Sequence, residues 1–185
     1  MEELKLDKYY TYKDYMQWSE NVRYELINGI PCMMAPAPSE SHQDISGNLY
    51  FQLKNFLTGK SCKVFYAPFD VCLNADGDDE KDVVQPDLLV VCDHNKLDGK
   101  RCNGTPDMIV EILSPSTLKH DTLVKFQKYQ NAGVREYWIV DPVHETVQVC
   151  ILDNNKYYVT MYGEKDKIPV KVLPGCKINM SKVFN

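Results

Sequence analysis

A glutamate in the middle of an apolar segment constrains this chain more than any other sequence feature. The run from Met108 to Leu113 has the length and composition of a buried strand, and Glu111 stands inside it. A carboxylate in the interior of an apolar strand is costly unless it is paired, protonated or bound to a metal. The fold therefore has to bring a partner to Glu111.

The residues that follow predict a strand–helix–strand crossover. Ser114 to Thr117 end the first strand and offer hydroxyls to cap a helix from about Leu118 to Ala132, which Gly133 ends. Glu136 to Val140 is again rich in β-forming residues, and Pro142 follows it closely. Because such a crossover joins parallel strands, both strands are expected in one sheet.

The predicted helix offers a partner for the buried acid. Asp121 and Lys125 lie four residues apart and share a helix face that continues to Lys128 and Tyr129. If this face is turned toward the sheet, Lys125 reaches Glu111. A structural ion pair between these two residues accounts for the pattern as well as a functional site does.

A second acid has a similar setting. Asp87 follows Pro86 and stands at the entrance of the apolar run from Leu88 to Val91. Taken alone, Asp87 is equally typical of a strand that begins after a proline. Together with Glu111 and Lys125 it makes a set of two acids and a lysine.

The remaining segments predict a hairpin, a helix and further strands. Asn28-Gly29 between Tyr24–Ile27 and Ile30–Met34 is a strong hairpin signal. A helix with apolar residues at helical spacing is expected after Ser39, with His42 in its first turn. Further expected elements are a helix from Thr11 to about Glu20, strands within Lys63–Leu73 and Val83–Val91, a solvated acidic hairpin tip at Asp76–Asp82, a hairpin of Thr146–Leu152 with Tyr157–Met161, and a short strand at Val170–Leu173. This order predicts an α/β fold with a mixed sheet.

Length and composition set the class of protein. At 185 residues, with 44% apolar and 25% charged residues, the chain is expected to form one domain over residues 1–185. No apolar run approaches the ~20 residues of a membrane helix, and the charged N-terminus does not resemble a signal peptide. We therefore expect no membrane partner and a cytoplasmic location.

The cysteines and the net charge exclude other classes. The seven cysteines are scattered without the spacing of a zinc site or a disulfide framework, so we expect reduced core residues. The net charge of −5 counts against a large nucleic-acid footprint, because phosphate contacts need a basic patch.

Several of these segments together resemble the Uma2 family, which is grouped with endonucleases of the restriction-endonuclease-like PD-(D/E)xK fold. The resemblance covers about residues 11–160, and its Glu111–Ser116 and Gly133–Pro142 segments are the specific ones. It rests on Tyr24–Gly29, His42, Pro86-Asp87, Glu111–Ser116, the row Asp121, Lys125 and Tyr129, and Gly133–Pro142.

The resemblance implies a single restriction-endonuclease-like domain, with a mixed sheet, an N-terminal hairpin and flanking helices. It places acids at one sheet edge around a divalent ion, Mg²⁺ or Mn²⁺. Carried over by residue, Asp87 and Glu111 are the metal ligands and Glu25 is the family's N-terminal acid. We also predict that Asp87 and Glu111 lie on neighbouring strands with converging side chains.

The resemblance also assigns a lysine, although the general motif is not met. Leu113 stands two residues after Glu111, where that motif has lysine. The role then passes to the following helix, to Lys125, with Lys128 as the alternate. Two more residues are candidates, each with a plain rival: solvent exposure for His42, and support of the helix for Asp121.

The function that this reading predicts is metal-dependent hydrolysis of phosphodiester bonds in nucleic acid, with DNA as the partner. Such hydrolysis needs a hard cation held by carboxylates, together with a positioned positive charge. Two other classes stay open: a metal-dependent hydrolase of another phosphate substrate, and a catalytically silent binding protein of the same fold. A homodimer through an edge-strand hairpin is one open arrangement.

Overall fold

A computed structural model describes residues 8–18, 23–34, 38–114 and 120–184, without the side chains of His120 and Asp121. The helices in this part of the chain are α1 Tyr12–Tyr15, α2 Glu40–Leu57 and α3 Phe126–Ala132, the last preceded directly by a π-helical turn, His120–Lys125. The strands are β1 Tyr24–Ile27, β2 Ile30–Met33, β3 Lys63–Tyr66, β4 Val71–Cys72, β5 Val83–Val84, β6 Leu88–Val91, β7 Cys102–Asn103, β8 Met108–Ile112, β9 Glu136–Asp141, β10 Thr146–Asp153, β11 Lys156–Gly163, β12 Lys167–Pro169 and β13 Lys177–Asn179. None of the helices described here is long and apolar enough to cross a membrane.

The strands form two larger sheets and one small one. The six-stranded sheet has the order β11-β10-β9-β8-β6-β3, the five-stranded sheet has the order β2-β1-β5-β4-β7, and β12 pairs with β13. Both larger sheets are mixed, because β8–β9 and β4–β7 are parallel while their other pairs are antiparallel. The predicted mixed α/β fold, the parallel crossover from β8 to β9 and the N-terminal hairpin are confirmed.

The six-stranded sheet is apolar on both faces, which is why its central strands are nearly continuous apolar runs. Alternate residues of β6, β8 and β9 point to opposite faces. One face packs against α2 and includes Ile45, Leu49, Leu53, Leu88, Val110 and Trp138. The other face packs against α3 and includes Leu89, Ile109, Tyr129, Val134, Tyr137 and Ile139. Tyr137 and Trp138 are fully buried core residues, as the sequence predicts.

The N-terminal hairpin turns at Asn28 and Gly29, both with left-handed backbone angles (φ 53° and 77°). The turn packs against Tyr9 and Tyr10, and the Tyr10 N–H donates to the Gly29 carbonyl oxygen at 2.8 Å. A β-carbon at position 29 would lie 2.9 Å from the Tyr10 carbonyl oxygen. Glycine is therefore required both for its φ angle and for space.

Some predicted elements differ from the structure. The expected strand Val83–Val91 is two strands in different sheets, because Pro86 between them cannot donate to a ladder. Val170–Leu173 is a turn, closed by the Leu173 N–H donating to the Val170 carbonyl oxygen, so that prediction is wrong. The helix α1 is shorter than predicted, and its expected end at Glu20 lies outside the described residues, as do most of the predicted cap and helix start at 115–119.

Two expectations about side chains are wrong. Cys62 and Cys92 form a disulfide, whereas all seven cysteines were expected to be reduced. The antiparallel strands β3 and β6 pair Lys63 with Val91, and the next position along the pair places Cys62 opposite Cys92. The acidic loop is not simply solvated either. Glu80 is fully buried, and its carboxylate accepts the N–H groups of Asn74 and Asp82 at 2.8 Å each.

Candidate active site

A buried lysine joins one acid from each of the two larger sheets. Lys125 Nζ lies 2.9 Å from Glu25 Oε1 and 2.8 Å from Glu111 Oε1. All three side chains are 5% exposed. Glu25 belongs to β1 of the five-stranded sheet and Glu111 to β8 of the six-stranded sheet. Glu25 is therefore buried rather than on the surface, and Glu111 has the partner that its burial demands.

The backbone around Lys125 is unusual. Lys125 is the last residue of the π-helical turn, and α3 begins at the next residue. Single π-helical turns are rare in proteins, and those that occur are often found at functional sites. The turn comes directly before α3, whose Phe126 and Tyr129 pack on the sheet.

Tyr129 completes the polar contacts of Glu111. Its hydroxyl donates to Glu111 Oε1 at 2.7 Å, the same oxygen that Lys125 contacts. Burial raises the pKa of Tyr129 well above its ordinary value, and the nearby charges of Glu111 and Glu25 raise the pKa further. The phenol therefore stays protonated and acts as a hydrogen-bond donor. Its ring packs edge-on against Tyr137, with ring centroids 5.0 Å apart.

Glu25 is held by the segment that links the two sheets. The backbone N–H of Gln85 donates to Glu25 Oε1 at 2.9 Å. The Gln85 side chain donates to Asp70 Oδ1 at 2.7 Å and to the Tyr15 hydroxyl oxygen at 2.9 Å. The linking segment is thereby tied to the N-terminal helix as well as to the site.

Asp87 stands opposite Glu111. The antiparallel register of β6 and β8 pairs Leu88 with Val110, and one further step places Asp87 across from Glu111. Directly opposed residues of antiparallel strands have Cβ atoms ~4.5–5.5 Å apart and point to the same face. Asp87 and Glu111 thus lie across from each other on neighbouring strands. That their side chains converge stays a prediction. Asp87 Oδ2 accepts the backbone N–H of Ile112 at 2.8 Å.

His42 reaches Asp87 from the first turn of α2. Its Nε2 lies 3.3 Å from Asp87 Oδ2, and its side chain is 12% exposed. The helix start that positions His42 is capped by Ser39, whose hydroxyl oxygen accepts the His42 backbone N–H at 3.3 Å. His42 thus contacts Asp87 and is mostly shielded from solvent.

The other two candidates lie elsewhere or cannot be placed. Lys128 Nζ contacts Asp82 Oδ1 at 2.9 Å and the side-chain oxygen of Asn28, so this lysine ties α3 to the hairpin turn rather than to Glu111. The backbone of Asp121 belongs to the π-helical turn, but its side chain lies outside the described residues.

Tyr129 and Gln85 are the site contacts that the sequence did not assign. For Tyr129 a signal exists, because it lies one turn after Lys125 on the same helix row. For Gln85 there is none, since its contact with Glu25 depends on how two distant segments pack.

The side chains suit one class of metal ion better than others. Among the described residues, no three His, Cys, Asp or Glu side chains are grouped so that they could enclose a metal ion. The acids on opposed strand positions are Asp87 and Glu111. Mg²⁺ and similar hard cations are commonly held by one or two carboxylates, with water and substrate oxygens completing the shell, whereas structural zinc needs four protein ligands. Three carboxylates against one lysine also leave the site negative.

Comparisons with known proteins agree in family and fold. The model of the Uma2 family, described as "Putative restriction endonuclease", matches residues 12–181. The "Uncharacterized protein slr1290" of Synechocystis sp. is 25% identical over 163 residues, which are 86% of this chain and 83% of that protein. A crystal structure of "a putative nuclease belonging to DUF820" from Anabaena variabilis superposes with a TM-score of 0.74 at 17% identity, over 94% of this chain and 97% of the other. That last likeness is one of fold.

Proposed function

Because this chain belongs to the Uma2 family, we propose that it is a nuclease that hydrolyses phosphodiester bonds of nucleic acid with a bound divalent metal ion. The observation that carries this proposal is the buried contact of Lys125 with Glu25 and Glu111 where the two sheets meet, with Asp87 across from Glu111 on the neighbouring strand. DNA is the proposed substrate, and Mg²⁺ or Mn²⁺ the proposed ion. We further propose that residues 1–185 work as one domain in the cytoplasm.

Asp87 and Glu111 would hold the ion. A bound divalent cation lowers the pKa of an attacking water and offsets the negative charge that develops on the phosphate. Both carboxylates are fixed before any ligand arrives: Asp87 by the Ile112 N–H and His42, and Glu111 by Lys125 and Tyr129. Such preorganisation limits the reorganisation that binding requires.

Lys125 would supply positive charge to the reacting phosphate. Its ammonium has three donors, and the contacts with Glu25 and Glu111 hold it at the edge of the acid pair. Glu25 acts in this proposal as a positioning residue, because it holds the lysine from the second sheet. His42 has the same kind of role for Asp87, since it orients that carboxylate.

The proposed metal ligands are tested by two measurements on the same variants. Asp87→Asn and Glu111→Gln are expected to abolish Mn²⁺ binding in a calorimetric titration and to abolish cleavage of plasmid and single-stranded DNA. Asp153→Asn, at an exposed position on β10, is the matched control and should keep both. Cleavage by the wild type should stop in excess chelator. Undiminished turnover in chelator would contradict metal dependence.

The same assays separate the other classes of function. The net charge of −5 favours a substrate that touches little of the surface. Hydrolysis of phosphodiester model compounds without cleavage of DNA would therefore indicate a hydrolase of another phosphate substrate. Mn²⁺ binding with no hydrolysis of either would indicate a silent binding protein.

Lys125 and Lys128 make a second test, because they lie three residues apart on one helical segment. Lys125 contacts Glu25 and Glu111, whereas Lys128 contacts Asp82. Lys125→Ala should lower turnover by ~10²-fold or more if its charge acts in the transition state. Lys128→Ala should change turnover little. Lys125→Ala also leaves two buried acids without their cation, at a cost of ~3–5 kcal/mol, so turnover is measured below the unfolding midpoint of each variant. A loss in Lys128→Ala alone would contradict the assignment.

A further inference from the structure

Strand β11 is a long, exposed edge of the six-stranded sheet. It has eight residues and, among the described strands, pairs only with β10. Its middle carries apolar side chains in solvent: Tyr158, Val159 and Met161 are 61%, 47% and 56% exposed. Proteins usually shorten, charge or cover such an edge, because its free backbone groups invite another strand.

The direction of the backbone groups along β11 follows from the hairpin turn. Asn154 and Asn155 have left-handed angles and form a two-residue turn closed by the pair Asp153–Lys156. The closing pair of such a turn is hydrogen-bonded, and hydrogen-bonded pairs alternate along the ladder. The backbone N–H and C=O groups of the even-numbered residues of β11 therefore bond to β10. Those of the odd-numbered residues point to the free edge of the sheet.

Two hydrogen bonds agree with this alternation and mark the ends of the free edge. The Tyr157 N–H donates to Gln130 Oε1 at 2.9 Å, and the Gly163 N–H donates to Asp166 Oδ2 at 2.8 Å. Neither partner belongs to β10. Side chains thus close both ends of the edge, whereas the outward groups of Val159 and Met161 have no strand beside them in the described part of the chain.

We propose that a second copy of this chain covers this edge, with the two β11 strands antiparallel about a two-fold axis. In this pairing Thr160 faces the partner's Thr160, and Val159 exchanges backbone hydrogen bonds with the partner's Met161. The neighbouring symmetric registers would use the N–H of Tyr157 or of Gly163, and both of these donors are already bonded to side chains. The register centred on Thr160 pairs Val159 with the partner's Met161 at both symmetric positions. At its ends Tyr157 faces the partner's Gly163, where both N–H groups keep their side-chain partners, so the backbone pairing stops there.

The same register is complementary in charge. It places Lys156, at the start of β11, near the partner's Glu164, which lies in the turn that follows β11, and the symmetry repeats this pair. Opposite charges directly across a strand pair are stabilising, and like charges are destabilising. The exposed Tyr158 faces the partner's Tyr162 and loses water-exposed area. Charge, apolar area and free backbone groups therefore select one occupant, a second copy.

The pairing would join the two six-stranded sheets and fix the spacing of the two candidate sites. Three strand spacings separate β11 from β8, which carries Glu111. With strands ~4.8 Å apart, the two β8 strands would be at most ~34 Å apart. The inference does not depend on nuclease activity, because it rests on the edge strand alone.

The oligomeric state in solution tests the proposal, by light scattering and sedimentation on the full chain. The wild type should dimerise at micromolar concentration. Lys156→Glu and Glu164→Lys should each raise the dissociation constant by roughly tenfold or more, since each makes two repulsive pairs. The double variant Lys156→Glu/Glu164→Lys restores opposite charges and should dimerise like the wild type. Lys167→Glu, an exposed charge reversal on β12, is the matched control and should have no effect.

A backbone variant checks the strand pairing independently of charge. Val159→Pro removes an outward N–H and leaves the ladder with β10 intact, because proline is tolerated at such edge positions. It should give a monomer with an unchanged far-ultraviolet spectrum. A wild type that is monomeric up to about 100 µM would overturn the proposal. A dimer that withstands both single charge reversals and Val159→Pro would also overturn it.

Discussion

The carboxylate of Glu111 is the group that the neighbouring polar side chains of the site contact. One of its oxygens accepts from both Lys125 and Tyr129, and all three groups are buried. In a buried ion pair, the attraction between the charges offsets the cost of desolvation only if the geometry is good and further hydrogen bonds are made. Tyr129 provides such a bond, so its hydroxyl matters beyond its packing.

Tyr129→Phe removes that hydroxyl with little change of shape. We expect a loss of ~1.5–3 kcal/mol in the free energy of unfolding, the range for hydrogen bonds to charged groups. Tyr157→Phe is the matched control, since it loses a hydroxyl that donates to the neutral Val134 carbonyl oxygen. It should cost only ~1 kcal/mol. Urea denaturation at pH 8 measures both values, and equal losses would contradict the special role of Tyr129.

The pKa of Tyr129 adds a pH test. Burial raises the folded-state pKa above the unfolded value, so the protonated phenol contributes stability that is present below pH ~10 and is lost as pH rises through the folded pKa. Tyr129→Phe cannot lose this contribution. The stability difference between the wild type and Tyr129→Phe should therefore shrink above pH ~10. A constant difference from pH 8 to 11 would contradict the raised pKa.

At the scale of elements, the N-terminal hairpin positions Glu25, and its turn depends on Gly29. Gly29→Ala meets both a positive φ and a close backbone oxygen of Tyr10. We expect it to lower the free energy of unfolding by ~2 kcal/mol or more. Gly47→Ala is the matched control: this glycine lies in α2, and a β-carbon there meets nothing within 4 Å. That variant should be more stable by ~0.5–1 kcal/mol. Wild-type stability in Gly29→Ala would contradict the steric argument.

The π-helical turn is the second element on which the site depends. It ends at Lys125, and α3 then continues regularly to Ala132, with Gly133 in a left-handed conformation (φ 86°) after it. Tyr129 and Lys125 therefore reach one carboxylate from a backbone that changes its helical period between the turn and α3. A helix of constant period was expected here, because the spacing of apolar residues does not reveal a single π turn.

At the scale of the whole molecule, the chain itself links the two larger sheets beside the site, and one disulfide closes a strand pair within the six-stranded sheet. The chain crosses between them at Gln85–Asp87, and the disulfide Cys62–Cys92 closes the outer strand pair β3–β6. A loop closed over a sequence separation of 30 residues is worth ~3–4 kcal/mol in the chain-entropy account.

We expect a reductant to lower the unfolding free energy of the wild type by about that amount, ~3–4 kcal/mol. The variant Cys62→Ser/Cys92→Ser should be less stable at the start and should not respond to the reductant. Thiol titration of the unfolded, non-reduced wild type should find the five free cysteines Cys32, Cys72, Cys102, Cys150 and Cys176. A wild type with seven free thiols would contradict the disulfide.

Local patterns in the sequence were sufficient for most of the elements and for several candidate site residues. The apolar run around Glu111, the helix row of Lys125 and Tyr129, and the Asn28-Gly29 turn each depend on a few neighbouring residues. Strand period, helix spacing and turn chemistry act over that range. The resemblance to a family added Glu25 and assigned metal binding to Asp87 and Glu111, whose similar settings the local patterns had already indicated.

Only the tertiary structure decided which distant groups meet. The contact of Lys125 with Glu25, the Gln85 N–H on that acid, the burial of Glu80 and the disulfide Cys62–Cys92 each join segments whose nearness depends on sheet order. Strand order and register arise from the packing of both faces of a sheet, and one sequence carries no local mark of its partner strand. For the same reason, the position of β11 at the edge of the six-stranded sheet depends on the order of the strands and not on the sequence of β11 alone.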